Sequence, residues 1–139
     1  MTTPPVVAFV SARLDEEEED ARKAEATVLP PGFPRETYLA YGLERAGFGL
    51  AYQGFALIHD PARVLREVAA KRAILAAHAP ETPSKYGSDV PRCTACLTYR
   101  EGWHEDWNAD AWPCRTVRHV AAIWNDHPAY DPAWAPDPA

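Results

Sequence analysis

The sequence predicts an α+β, mostly helical domain: two to three helices, a small β hairpin and a compact cysteine-rich knot. Three observations carry that expectation. Apolar residues recur at helical spacing over 6–27 and again over 60–79. Between those stretches, 35–58 is rich in glycine and aromatic residues. All three cysteines fall between Cys93 and Cys114.

A chain of 139 residues is read as one domain, 1–139, large enough to bury a modest core. Hydrophobic residues at 47% against 24% charged place it with folded globular chains and away from disordered ones. A formal net charge of −6 argues against a general affinity for nucleic-acid backbones, which calls for clustered Lys and Arg. No apolar run approaches the ~20 residues that span a bilayer. Met1–Pro5 carries no basic region, and Val6–Val10 is too short for a signal peptide. The expectation is a cytoplasmic protein without a membrane partner.

In the first helix, Val6, Val7, Val10, Leu14, Ala21 and Ala24 recur on one face. Six consecutive acids, Asp15 to Asp20, follow on the polar side and precede Arg22 and Lys23. Glu18–Arg22 and Glu19–Lys23 are i,i+4 pairs in the favourable order, each adding ~0.2–0.5 kcal/mol. The plainer reading of the acid run is a solvated helix face. The sharper one is an electronegative surface for a basic partner. Leu29-Pro30-Pro31-Gly32-Phe33-Pro34 ends the helix, because proline removes donors and fixes φ.

Over 35–58, Tyr38, Tyr41, Phe48, Tyr52 and Phe55 alternate with Gly42, Gly47, Gly49 and Gly54. Glycine at that density favours short strands and turns, hence a hairpin here, with a helical Glu36–Ala46 as the alternative. The aromatics are read as core filling before any pocket.

The central helix, 60–79, opens on Asp60, a good N-cap, with Pro61 at the first helical position. Val64, Leu65, Val68, Ile74 and Leu75 keep the period, His78 closes the element, and Pro80 and Pro83 stop it. Arg63, Arg66, Lys71 and Arg72 make it locally basic, read as a solvated face with pairs such as Glu67–Lys71 before a phosphate-facing one. A polar loop, 81–91, follows. Leu97–Tyr99 suits one strand of a knuckle, and Glu101-Gly102-Trp103 a turn. The last helix, 115–125, turns Val117, Val120, Ala121 and Trp124 inward. The 126–139 tail is too rich in proline for a helix; Tyr130 and Trp134 are expected to dock it, with 135–139 frayed.

The knot, 91–116, carries the chemistry. Three cysteines is an odd number, unlike a secreted disulfide scaffold. Cys93 and Cys96 form a Cys-x-x-Cys pair, the spacing at which two thiolates in one tight turn reach the same ion, and Cys114 returns from downstream. Structural zinc closes its tetrahedron with a fourth protein ligand. His78, on a rigid helix end, is the first candidate; His104 in an acidic loop and His119 within the last helix are the others. A Cys₃His zinc site would carry about one negative charge, which Arg92 or Arg115 can offset. A redox dithiol lacks the βαβ context it needs. Free structural cysteines are the remaining plain alternative. Catalytic zinc needs an open position and a base; Glu105 and Asp106 are the acids nearest at hand. No cysteine stands apart from the metal pattern as a nucleophile, and no glycine loop has phosphate-cradling spacing.

Several segments resemble a family of small actinobacterial and actinophage proteins of unknown function. They are 7–16 (Val-Ala-Phe-Val-Ser-Ala-Arg-Leu-Asp-Glu), 59–68 (His-Asp-Pro-Ala-Arg-Val-Leu-Arg-Glu-Val), the Cys-x-x-Cys, Trp112-Pro113-Cys114 and the ending 126–134 (Asp-His-Pro-Ala-Tyr-Asp-Pro-Ala-Trp). The family's Pro-Gly-Pro-Trp turn is replaced here by Pro30-Pro31-Gly32-Phe33-Pro34, and 35–55 matches poorly. The resemblance implies a phage or mobile-element context, no assigned activity, and a His at the close of the central helix. It thereby implies metal ligands His78, Cys93, Cys96 and Cys114.

The functional expectation is a non-enzymatic, zinc-stabilised protein that binds a macromolecular partner, a protein before a nucleic acid, with no small-molecule substrate inferred. It rests on the acid run, the surplus of tryptophan and the lack of a catalytic constellation. One alternative is a nucleic-acid-binding regulator using the knuckle with Arg63, Arg66, Lys71, Arg92, Arg100, Arg115 and Arg118. The other is a small metalloenzyme.

Overall fold

The computed structural model describes residues 2–26, 42–47, 49–81, 91–96 and 111–138. Its fold is α+β and mostly helical. Helix α1 spans Pro5–Glu25. Proline in the first turn costs nothing, since its missing amide would have no intrahelical partner. Val6, Phe9, Val10, Leu14 and Ala21 are buried at i, i+3, i+4, i+8 and i+15, so one stripe of the helix leaves water. On the polar side Arg22 reaches Glu18 at 2.6 Å and Lys23 reaches Glu19 at 2.7 Å. The anticipated i,i+4 pairs therefore form, on exposed side chains where each contributes little.

Residues 42–45 make a helical turn, and α2 spans Leu50–Ile58. The hairpin expected over 35–58 is thus corrected: its described part is helical, while 27–41 and Phe48 lie outside the described residues. The glycines explain the error. Gly42 accepts from the Ala46 amide at 3.1 Å, Gly47 ends that turn at φ +85°, and Gly49 precedes α2 in extended conformation. Gly47 and Gly49 thus lie at helix ends instead of breaking strands, and a left-handed φ at a helix end is where glycine is favoured. Gly54 alone sits inside α2, a cost of about 1 kcal/mol. Phe55 and Ile58 of this helix remain more than half exposed, at 58% and 57%.

Helix α3 spans Pro61–Ala77. The Asp60 carboxylate accepts from the Arg63 amide at 2.8 Å, the N-cap read from the sequence. Arg63 also pairs with Glu67 at 2.7 Å. Val68 and Leu75, seven residues apart on one face, are buried.

Strand β1, Pro80–Glu81, pairs antiparallel with β2, Arg92–Cys93, with Pro80 opposite Cys93 and Glu81 opposite Arg92. On its other side Arg92 bridges to Ala111, and the Trp112 amide donates to the Pro91 carbonyl at 2.8 Å. The small β element of this fold therefore lies in the cysteine region. The expected strand at 97–99, the 101–103 turn and most of the 81–91 loop lie outside the described residues.

Helix α4, Arg115–Ala121, runs on as a 3₁₀ turn, Ala122–Trp124. Val117, Val120 and Ala121 are buried, and the Lys71 ammonium sits 5.1 Å from the centroid of the Trp124 ring. A second 3₁₀ turn, Pro132–Trp134, is capped by Asp131, which accepts from the Ala133 amide at 2.9 Å. The tail docks as anticipated. Phe9 meets the rings of His127, Tyr130 and Trp134 with centroids 5.6, 6.0 and 5.3 Å away. Arg13 lies over the Phe9 ring and donates to His127 Nε2. Ala135–Pro138 continue as described chain, with Asp137 3.9 Å from Arg118.

By contacts the chain falls into two compact units, 1–13 with 70–139, and 14–69. The first holds the β pair, α4, the tail and the start of α1. The second holds α2, the rest of α1 and the first half of α3. Among the described residues no helix is long and apolar enough to cross a membrane.

Candidate metal centre

The centre is assembled at the end of α3. The His78 amide donates to the Ile74 carbonyl at 3.0 Å, so the helical ladder carries on to this residue and gives the imidazole a rigid base. β2 then delivers Cys93 directly beside the helix end, because its pairing with Pro80 leaves only Ala79 between the strand and His78. Thr94 secures that approach. Its amide donates to the Ala79 carbonyl at 3.1 Å, and its hydroxyl lies 3.2 Å from the Ala77 carbonyl and 3.1 Å from that of Ala79. The Ala77 carbonyl is one that the helix leaves unsatisfied where it stops, and Ala79 lies just beyond that end. The turn after β2 brings Cys96 round, and the bridge from Arg92 to Ala111 sets the chain that carries Cys114. Between them, a cis Trp112–Pro113 bond turns the backbone, and Arg118 Nε donates to the Pro113 carbonyl at 3.1 Å.

The four side chains singled out in the sequence come together. His78 Nδ1 lies 3.3 Å from Cys93 Sγ, 3.5 Å from Cys114 Sγ and 3.7 Å from Cys96 Sγ. All four atoms lie within 4.8 Å of one another. Hydrogen bonding does not explain this convergence, since one ring nitrogen has a single proton or lone pair to share among three sulfurs. A tetrahedral ion does. With metal–sulfur bonds of about 2.3 Å and a metal–nitrogen bond of about 2.05 Å, nitrogen and sulfur would stand about 3.6 Å apart. The observed separations straddle that value. Three cysteines and one histidine can therefore hold a metal ion here.

Burial shapes the chemistry. Cys93 and Cys114 are 0% and 1% exposed. Without a cation, burial pushes the Cys96 thiol up to about 12, and contacts with Cys93 and Cys114 add to the rise. Burial also raises Cys114, opposed in part by the nearby Val117 amide. Neighbouring thiolates in a dry site repel one another, and a divalent cation inverts that balance by favouring the charged sulfurs. The donor set, soft sulfur with one imidazole, suits zinc-like ions over magnesium or calcium.

His119 is exposed on α4 and stands outside the cluster, and His104 lies outside the described residues. Glu105 and Asp106 lie there too. Thr94 was not foreseen. Its only sequence signal is a hydroxyl between two cysteines, and what it caps is apparent only once the helix end is in place.

No curated protein and no solved structure matches the chain. A family model matches residues 3–136, nearly the whole length, and the chain accordingly belongs to DUF6221, a family of unknown function.

Proposed function

We propose that the chain is a non-enzymatic interaction protein whose 91–116 knuckle is held to α3 by one structural zinc ion on His78, Cys93, Cys96 and Cys114. One observation supports the reading: one imidazole and three thiol side chains from three separate stretches converge, their ligand-capable atoms all within 4.8 Å of one another. A set that closes all four positions favours a structural ion over a catalytic one, which keeps a position open for water or substrate. The partner surface we assign is the acidic side of α1, Asp15–Asp20, where six acids outnumber Arg22 and Lys23. Its complement is a basic protein segment. Two residues of the alternative, nucleic-acid-facing set are already engaged, Arg63 with Glu67 and Lys71 with Trp124.

Native mass spectrometry of protein purified without added metal tests the zinc part. The expected mass is that of the chain plus one zinc, with the ion lost in His78→Ala. Affinity capture with the parent and with a Glu16→Lys/Glu19→Lys variant tests the partner part. A basic protein retained by the parent and lost by the variant is expected. No protein on the parent, or the same set on both, contradicts it. A phage or mobile-element setting belongs to the same proposal and gains support if that partner is a host protein.

A further inference from the structure

Beside the metal centre, in the same compact unit, lies a cavity of about 410 Å³ lined by Ala111, Pro113, Arg115, Arg118, Asp137 and Pro138. Its volume falls within the range of small-molecule sites, about 300–1,000 Å³. Among the described residues its charged lining is Arg115, Arg118 and Asp137.

The two arginines are held differently. Arg118 spends its Nε on the Pro113 carbonyl at 3.1 Å, which fixes the plane of the guanidinium. Its Nη1 stands 3.9 Å from Asp137 Oδ2, too far for a hydrogen bond. Asp137 itself is 91% exposed, so water screens this contact. Arg115 is exposed and makes neither a hydrogen bond nor an ion pair among the described residues. Among the described residues, the lining therefore carries one guanidinium group held in place, one exposed guanidinium group and one loosely placed carboxylate, in a chain whose net charge is −6.

We propose that this cavity binds a small phosphate monoester through Arg115 and Arg118, with Asp137 as an internal competitor. A phosphate monoester near neutral pH carries close to two negative charges and three acceptor oxygens, which matches two guanidinium groups. Guanidinium forks bind phosphate with two parallel hydrogen bonds, a geometry lysine does not offer. Among the described lining residues Asp137 is the one carboxylate, and it faces Arg118 at 3.9 Å. A nucleic-acid strand fits less well, because its backbone would pass the Asp137 carboxylate on an acidic chain. The proposal does not depend on which metal occupies the neighbouring centre.

The test titrates inorganic phosphate into the full-length, metal-loaded protein at constant ionic strength, following Arg side-chain and α4 amide resonances by NMR. Saturable shifts at Arg115 and Arg118 are expected. Asp137→Asn should bind about two- to fivefold more tightly, the range set by one exposed ion pair. Arg115→Gln should weaken binding about tenfold or more, the loss of a charge-assisted hydrogen bond. Arg118→Lys should weaken it similarly, and metal content of each variant separates loss of the cavity from loss of the knuckle. Shifts that never saturate, or equal affinity in the parent and Arg115→Gln, overturn the proposal. So does an Asp137→Asn variant no tighter than the parent. Preferential binding of a short single-stranded oligonucleotide, weakening steeply with salt, would replace it with a nucleic-acid surface.

Discussion

Trp134→Ala measures how firmly the tail is held. Trp134 is half-buried, with its ring 5.3 Å from that of Phe9 at 46° and 5.8 Å from that of Tyr130 at 89°. An aromatic side chain covers ~150–250 Å², so a half-buried one removes ~100 Å² from water, or ~2.5 kcal/mol at ~25 cal/mol per Å². Two favourable ring pairs add ~0.5–1.5 kcal/mol each when fully formed. The truncation relaxes part of this, since the tail can swing into solvent in the variant. A loss of ~2–4 kcal/mol is expected, with Tm lower by roughly 7–14 °C for a domain of this size. Urea unfolding followed by far-UV circular dichroism is the assay, because the change removes a fluorophore. Ala133→Ser, at an exposed neighbour, serves as the control and should stay within about 0.5 kcal/mol. Bound metal should be unchanged. A Trp134→Ala loss under 0.5 kcal/mol with the same urea dependence would refute the docking of the tail on Phe9.

Other outcomes follow from single contacts. Asp60→Ala removes the carboxylate that accepts from the Arg63 amide, and thermal unfolding should report a loss of ~1 kcal/mol. Thr94→Val keeps the amide bond to Ala79 but loses the hydroxyl from the carbonyls of Ala77, at the helix end, and Ala79, just past it. At this exposed site a cost of ~0.5–1 kcal/mol is expected, with any bound metal retained but exchanged faster against a chelator. Metal affinity should depend steeply on pH, because Cys96, pushed up to about 12 without a cation, and Cys114, also raised, must each release a proton to bind. The free protein holds more protons than the loaded one, so affinity rises with pH, by ~100-fold per unit from these two thiols alone. Chelator competition between about pH 6 and 8 reads this slope, and a change below tenfold per unit contradicts it. In metal-free protein the sign reverses: the unfolded thiols ionise first, so stability falls as pH rises through the ordinary thiol range and beyond.

The helices with conventional ends were legible in the residues. Asp60-Pro61 marks the start of α3 because a capping carboxylate and a donor-free first residue are local chemistry. The apolar stripe of α1 was equally plain, since burial of Val6, Val10 and Leu14 follows helical period. Helix α2 was not. Gly47 and Gly49 before it lie at helix ends, where they allow a turn, and composition alone does not distinguish a glycine that ends a helix from one that breaks a strand. The cysteine spacing and His78 pointed to the metal centre, because ligand types and a rigid helix end are properties of sequence. The latch at Thr94 was hidden, as it depends on where the Ala77 and Ala79 carbonyls come to lie. The tail was seen to dock through Tyr130 and Trp134, but its landing place on Phe9, more than a hundred residues away, is set by tertiary packing that no local pattern encodes.

X-ray absorption at the zinc edge, on protein purified without added metal, tests the central claim most directly. The account predicts one zinc per chain with three sulfurs at about 2.3 Å, one nitrogen at about 2.0–2.1 Å and no coordinated water. A first shell with two sulfurs or fewer, an exchangeable oxygen ligand, or protein that folds cooperatively with no zinc at all would contradict it.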